Sequence, residues 1–255
     1  MRVTFLGTGT SRGIPLVGCT CDVCTSDDPR NKRLRTSILI ESDINVVIDA
    51  SVDFRSQMLL QQVKRLDAVI LTHPHVDHIL GLDDLYPFTM RTGKNMPIYG
   101  SNETLKEVRT TFRYLFSGKR YPGTPTLMLH AIDSPFQIGN LRFEPIPLLH
   151  GRLPIFGYRV GCFAYLTDVS KIPEESYEKL QGVRYLALDA LRDQPHFSHF
   201  SLNESIEAAE RIGADQTYLI HMCHNLDHET TNKKLPDKIS LAYDGLVWEL
   251  RQECN

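Results

Sequence analysis

The chain has 255 residues, 42% hydrophobic and 23% charged, with 28 basic against 31 acidic side chains and a net charge of −3. That length suits one large domain or two small ones, and the composition excludes disorder, coiled coil and collagen-like architectures. No run approaches the ~18 apolar residues of a membrane helix. The opening Met1–Gly7 is too short and too soon broken by glycine to read as a secretory signal. The charge balance argues against a broad electrostatic grip on nucleic acid, so the expected compartment is the cytoplasm and no membrane partner is expected.

Arg2 to Leu6 alternate as a strand and run into a loop at Gly7–Ser11. Thr36–Glu41 and Asn45–Asp49 flank Ser42-Asp43-Ile44 in a hairpin pattern. Residues 54–66 carry helical apolar spacing at Phe54, Met58, Leu59 and Val63. Ala68–Leu71 is a continuous apolar run, the mark of a strand buried on both faces. A loop over 72–78 leads to a short helix over Leu80–Tyr86, a brief strand at Ile98-Tyr99, and a helix over 102–116 capped by Asn102. Ser117–Pro125, rich in glycine and proline, reads as a mobile loop. Strands are expected at 127–131, 141–149, 156–161 and 163–167, then a helix at 174–180 and a strand at 183–188. The helix from Leu202 to Ile212 opens with a capping box, Ser201 and Glu204. Strand Thr217–Ile220 leads to His221. Ile239–Leu250 closes the pattern, with Asp244-Gly245 as a tight hairpin turn. This alternation is that of an α/β layered protein.

The strongest chemical signal is Thr72-His73-Pro74-His75-Val76-Asp77-His78, directly after a buried strand. Alternate residues of an extended segment point the same way, so His73 and His75 converge on one cation. Asp77 and His78 come where the chain turns into a helix, which redirects them to a neighbouring position. Three imidazoles and a carboxylate suit Zn²⁺, Mn²⁺ or Fe²⁺ rather than Ca²⁺ or Mg²⁺. Three further strand ends carry His150, Asp168 and His221, which together with the first motif make the seven ligands that two metals require. A second cluster, Cys19, Cys21 and Cys24, reads as thiolates for a metal in a reducing compartment. A closed tetrahedral zinc site needs a fourth ligand, supplied by His224 or its neighbour Cys223.

These segments resemble, in kind and order, the metallo-β-lactamase-fold hydrolases, from Phe5 to Trp248. The resemblance implies a four-layer αββα sandwich, residues 1–255 forming one such domain, with a two-metal site on its edge. By it, His73, His75 and His150 hold one metal, and Asp77, His78 and His221 the other, while Asp168 bridges them. The Cys cluster with the His221-x-x-His224 segment resembles the cyclic phosphodiesterases of the phosphonate (carbon–phosphorus lyase) pathway, which open 5-phosphoribosyl 1,2-cyclic phosphate. That implies a structural zinc on Cys19, Cys21, Cys24 and His224. It also implies a catalytic histidine before the late helix, matched here by His199, beside Asp77 in the catalytic set.

Two divalent ions less two carboxylates and a bridging hydroxide leave roughly +1, which suits a small anionic phosphodiester. The hydroxide would attack phosphorus, and His199 would give the leaving oxygen its proton. Other hydrolases of the same fold remain open: lactonases, thioesterases and tRNA 3′-processing endonucleases. The last usually carry a long RNA-binding arm that this chain lacks, so nucleic acid is not the favoured partner. The pyrroloquinoline-quinone biosynthesis protein B shares the N-terminal Cys cluster, so that cluster alone does not settle the reaction. A non-catalytic metal-binding module is the alternative from another class.

Several features stay undecided. Gly7, Gly9 and Gly13 do not make G-x-G-x-x-G, since the last glycine falls one place late, and they read as shaping the loop beneath the metals. The basic run Arg30–Arg35 is either a solvated surface or a phosphate grip. Asp49, Asp67 and Asp189 either orient the imidazoles or serve the fold. Residues 113–125 are left to cover the site or to mediate a homodimer.

Overall fold

The computed structural model describes residues 1–118 and 121–250. Strands β1 (Arg2–Gly7), β2 (Ser37–Glu41), β3 (Asn45–Ile48), β4 (Ala68–Ile70), β5 (Met96–Gly100) and β6 (Leu127–Ala131) lie side by side in a first sheet. The chain then builds a second sheet from β7 (Phe136–Ile138), β8 (Leu141–His150), β9 (Leu153–Val160), β10 (Phe163–Leu166), β11 (Tyr185–Asp189), β12 (Gln216–Ile220) and β13 (Ile239–Leu241). It finally returns as β14 (Val247–Glu249), antiparallel to β1 at the edge of the first sheet.

Strand periodicity dictates the layering, because successive side chains face opposite sides. Val3, Phe5, Ile38, Ile40, Val46 and Ile48 enter the core between the sheets, where they meet Phe143, Tyr158, Phe163 and Trp248. Their neighbours Leu6, Leu39, Val47 and Val69 face the other way and pack against helical residues. Those helices are α2 (Phe54–Leu60) and α4 (Tyr86–Thr92), placed by Phe54 and Phe88, and α5 (Asn102–Thr111), placed by Leu105 and Val108. On the far side Leu148, Leu186, Leu188 and Leu219 pack under α7 (Leu202–Ile212) through Ala208 and Ala209. Both sheets are covered twice, so the order is helix, sheet, sheet, helix. Short helices α1 (Asp22–Thr25), α3 (Val76–Ile79), α6 (Glu174–Lys179) and α8 (His228–Asn232) fill the loops. Among the described residues no helix is long and apolar enough to cross a membrane.

The Asp244-Gly245 hairpin is not formed. β13 pairs parallel with β12 in the second sheet and β14 joins the first. The Asp244 carboxylate accepts from Leu34 N at 2.6 Å and Thr8 Oγ1 at 2.8 Å, and Gly245 N donates to Phe5 O, so the turn is tied to β1 and splits its flanking strands. The helix expected over 54–66 ends at Leu60, because Gln62 takes a left-handed φ of +53°. The expected 80–86 helix is a 3-10 turn over Leu80–Leu85, and α4 begins afresh with Pro87 in its first turn, where a missing N–H costs nothing. α5 stops at Thr111, followed by a 3-10 turn at Arg113–Leu115, and its cap is Ser101, whose Oγ accepts from Thr104 N, rather than Asn102. The short β7, α1 and a 3-10 turn at Pro29–Asn31 had too few residues to show a period. Residues 119–120 of the loop expected to be mobile lie outside the described residues.

Candidate metal centre

β3, β4 and β5 run parallel in one sheet and β10, β11 and β12 in the other, and the polar residues come where these apolar strands stop. Asp49 follows β3, His73 and His75 follow β4, and His150 ends β8. Asp168 follows β10, Asp189 ends β11 and His221 follows β12, while α3 carries Asp77 and His78 in its single turn. The carboxyl ends of strands in layered α/β proteins are where side chains from distant segments converge.

Donor atoms of His73, His75 and His150 all lie within 4.8 Å of one another, and so do those of Asp77, His78, Asp168 and His221. Asp168 stands between the groups, with its oxygens 3.9 Å from His73 Nε2 and 3.3 Å from both His78 Nε2 and His221 Nε2. Asp77 Oδ2 is 3.2 Å from His78 Nε2. Above them opens a cleft of about 430 Å³ lined by His75, Asp77, His150, Asp168, His199 and His221.

Nε2 of His73, His78 and His221 is buried without a hydrogen-bond partner. An unsatisfied buried polar atom costs about 1–3 kcal/mol. Three of them beside the same carboxylate fit divalent cations of the zinc or manganese kind, which take imidazole and carboxylate together.

The opposite ring nitrogens of His73, His78 and His150 are pinned. Asp49, fully buried, accepts from His78 Nδ1 at 2.7 Å and from Thr72 N at 2.9 Å. The Thr72 hydroxyl lies 2.9 Å from Asp49 Oδ2 and 3.0 Å from His73 Nδ1, linking those two side chains. His150 Nδ1 donates to Ser198 O at 2.7 Å. His199 Nδ1 donates to Asp189 Oδ2 at 3.2 Å; Asp189 Oδ1 lies 3.3 Å from His221 Nδ1 without a hydrogen bond between them, so that ring is not pinned in this way. Holding the proton on Nδ1 leaves Nε2 bare toward the centre.

Electrostatically the two groups differ. Burial, reinforced by the nearby His78, holds His73 well below the usual histidine range, and burial lowers His75 and His150 too. Burial also acts against a charge on His78 and His221, but Asp49, Asp168 and Asp77 around the first, and Asp168, Asp77 and Asp189 around the second, reverse it. His78 is raised well above its ordinary value and His221 to about 9. Asp77 and Asp168, despite burial, are held below the carboxylate range by His78 and His221. The carboxylates of the second group therefore stay ionised and draw positive charge toward themselves. Asp49, Asp168 and His221 have left-handed φ of +65°, +58° and +60°.

The Cys cluster assembles with the same loop. His224 Nδ1 lies 3.2, 3.5 and 3.6 Å from the Sγ atoms of Cys19, Cys21 and Cys24. Tetrahedral zinc, with Zn–S of ~2.3 Å and Zn–N of ~2.0–2.1 Å, sets sulfur and nitrogen about 3.6 Å apart. Cys223 is turned away, its Sγ 2.9 Å from Asn225 Oδ1.

The basic run does not reach the cleft. Arg30 pairs with Asp28 and Glu229, Arg35 pairs with Asp53, and Arg33 is buried, donating to Leu226 O. Asp67 holds Asn45 N and Arg65, away from the centre, whereas Asp49 and Asp189 hold its imidazoles. Ser11 and Arg12, which sequence reasoning passed over, line the cleft. The Ser198 carbonyl was also missed, since a backbone acceptor has no signature in the letters.

Residues 44–222 match the family model of the β-lactamase superfamily domain. The chain belongs to the β-lactamase superfamily. Its two helix-flanked sheets are the metallo-β-lactamase sandwich that the motifs implied. A crystal structure described as a new diphosphatase from the PhnP family superimposes with a TM-score of 0.92 at 42% identity, covering 98% of each chain. An octanoyltransferase of Porphyromonas gingivalis is 42% identical over 252 residues, 96% of this chain and 51% of that one. The coenzyme PQQ synthesis protein B of Methylobacterium radiotolerans is 31% identical over 163 residues, 58% of this chain and 49% of that one. This superfamily member thus spans about half the length of these curated relatives. Zn²⁺-bound PqqB from Methylobacterium extorquens shares the fold, with a TM-score of 0.80 at 19% identity over 98% of this chain and 100% of that one.

Proposed function

We propose that this chain is a metal-dependent phosphodiesterase whose substrate is a small cyclic phosphate such as 5-phosphoribosyl 1,2-cyclic phosphate. The observation that carries the reading is Asp168, one carboxylate within 4 Å of imidazoles from both donor groups. His73, His75 and His150 would hold one divalent ion, and Asp77, His78 and His221 the other, with Asp168 shared between them. Cys19, Cys21, Cys24 and His224 would hold a structural zinc. Bound divalent ions polarise a phosphoryl group and make water a competent nucleophile near neutral pH. Phosphorus chemistry is further supported by the diphosphatase named among the similar structures, 42% identical over nearly the whole chain.

The chain's own groups supply orientation and a proton. Asp49, Thr72 and the Ser198 carbonyl fix the rings of His78, His73 and His150. Asp189 is itself anchored by Val169 N at 3.1 Å, and it holds the Nδ1 proton of His199. With Nδ1–H held by Asp189, Nε2 of His199 is the atom that passes a proton to the departing sugar oxygen when the ring carries its second proton, in a cleft it helps to line.

The test compares leaving groups. H199A is expected to lose ~10²–10⁴-fold in turnover on an alkyl cyclic phosphate, and far less on bis(p-nitrophenyl) phosphate, whose leaving group needs no proton. Equal turnover on the alkyl substrate refutes the role of His199. D168A and H73A, assayed for metal content beside activity, test the centre. A wild-type protein with metals bound and no phosphodiester turnover would shift the reading to a lactone or thioester.

A further inference from the structure

The cleft carries one cationic side chain that the proposed reaction does not use. Of the described residues lining it, Arg12 is the one arginine or lysine. It is exposed, and no hydrogen bond or ion pair engages its guanidinium among the described residues. The arginines nearby in sequence are occupied: Arg30 and Arg35 by carboxylates, Arg33 by buried carbonyls.

The loop under Arg12 is held on both sides. Thr10 N donates to Met222 O at 3.0 Å, beside His221, and Gly13 N closes a turn onto Thr10 O at 2.8 Å. Ile14 N donates to Arg33 O, and Arg35 Nε reaches Ser11 O at 2.9 Å while its own fork grips Asp53. The backbone is thus fixed relative to the donor groups, and an unpaired guanidinium stands at the mouth. A planar fork of N–H donors matches the oxygens of a phosphate. The phosphoryl group that reacts must reach down to buried Asp168, whereas Arg12 stands out at the rim. A cleft of about 430 Å³ has room for a sugar carrying phosphates at both ends.

We propose that Arg12 is a specificity-determining residue that grips a second phosphate of the substrate, one not attached at the bond being cleaved. This rests on the phosphodiesterase reading and narrows it to diesters bearing a remote phosphomonoester. The count of charge agrees: the roughly +1 left by two divalent ions less Asp77, Asp168 and a bridging hydroxide becomes about +2 with Arg12, more than a lone diester anion balances.

The test is calorimetric binding of ribose 1-phosphate and ribose 1,5-bisphosphate to the metal-loaded wild-type protein and to R12Q, with circular dichroism confirming the fold. The wild type is expected to bind the bisphosphate ~10–100-fold more tightly, the worth of charge-assisted hydrogen bonds, and R12Q to erase most of that preference. A wild type without preference overturns the proposal, as does an R12Q that keeps it. Equal weakening of both ligands also overturns it, because Arg12 would then serve the reacting phosphate. A preference that R12Q abolishes, in a protein that hydrolyses no diester, upholds Arg12 and sinks the phosphodiesterase reading instead.

Discussion

Replacing Asp49 with asparagine tests how the centre is held, because the change keeps the shape and alters only charge and hydrogen-bonding sense. In the wild type Oδ2 accepts from His78 Nδ1 at 2.7 Å and Oδ1 accepts from Thr72 N at 2.9 Å. An amide has one acceptor oxygen, so its NH₂ must face one of those two donors. If the NH₂ faces His78, the ring is driven to the other tautomer, with its proton on Nε2, the atom aimed at Asp77 and Asp168. An Nε2–H cannot ligate a metal. If it faces Thr72 N instead, a buried donor is left unpaired. Losing a carboxylate behind a ligating histidine typically costs 10–100-fold in metal affinity, or about 1.4–2.8 kcal/mol. The fold should lose a further ~1–3 kcal/mol from the unsatisfied group. Metal affinity is measured by chelator competition, and stability by denaturant unfolding of the metal-free protein. D49N is expected to weaken binding at the histidine–aspartate centre and to leave zinc at the Cys cluster in place. Wild-type affinity in D49N would refute the argument that Asp49 sets the tautomer of His78.

C24S removes the most buried thiolate of the second cluster and should release zinc to a chromogenic chelator. A loss of ~3 kcal/mol there lowers Tm by about 6–12 °C for a chain of this size, with the histidine centre still loaded. At Asp244, burial opposed by hydrogen bonds from Leu34 N and Thr8 raises the carboxyl from 3.8 to about 7. The folded state therefore holds this proton more tightly than the unfolded chain, and the stability it contributes, full below pH 4, is lost as pH rises to about 7. Three pK steps are worth ~4 kcal/mol, and half of that is expected because the side chain is partly exposed; D244N should flatten the slope in unfolding curves across pH 4–8. A Cβ on Gly81 would stand 2.2 Å from Ser51 O and 2.5 Å from Phe54 Cβ, so G81A must force the Leu80–Leu85 turn away from the start of α2. It should destabilise by about 3 kcal/mol or more, read by thermal unfolding.

The donor residues of the centre were legible because few residue types ligate such ions and because they had to follow apolar strands. Ala68–Leu71 announced a strand covered on both faces, and so placed His73 at its end. The layering was legible too, since continuous apolar runs demand helices over both sheets. What escaped the letters was set by distance in space. Asp244-Gly245 carries a strong local turn signal, but its carboxylate serves Leu34 and Thr8 from another part of the chain, and the strands on either side part company. The basic run Arg30–Arg35 read equally as a solvated surface or a phosphate grip until folding supplied Asp28 and Asp53 as partners for Arg30 and Arg35. Arg12 is the converse: it stands outside that basic run and is left unpaired beside the cleft by the way its loop is anchored. Asp49, Asp67 and Asp189 were indistinguishable in sequence, and only the fold turns two of them toward the imidazoles.

The main chain at Asp49, Asp168 and His221 winds in the sense that suits glycine, at a toll of ~1–3 kcal/mol per residue. Glycine put in their place would remove the chemistry and release that tension in the same stroke. Melting temperature and catalytic competence need not move together at these three positions. A heat-resistant isolate from random mutagenesis with a glycine here would be one that had traded a side chain of the centre for an easier backbone.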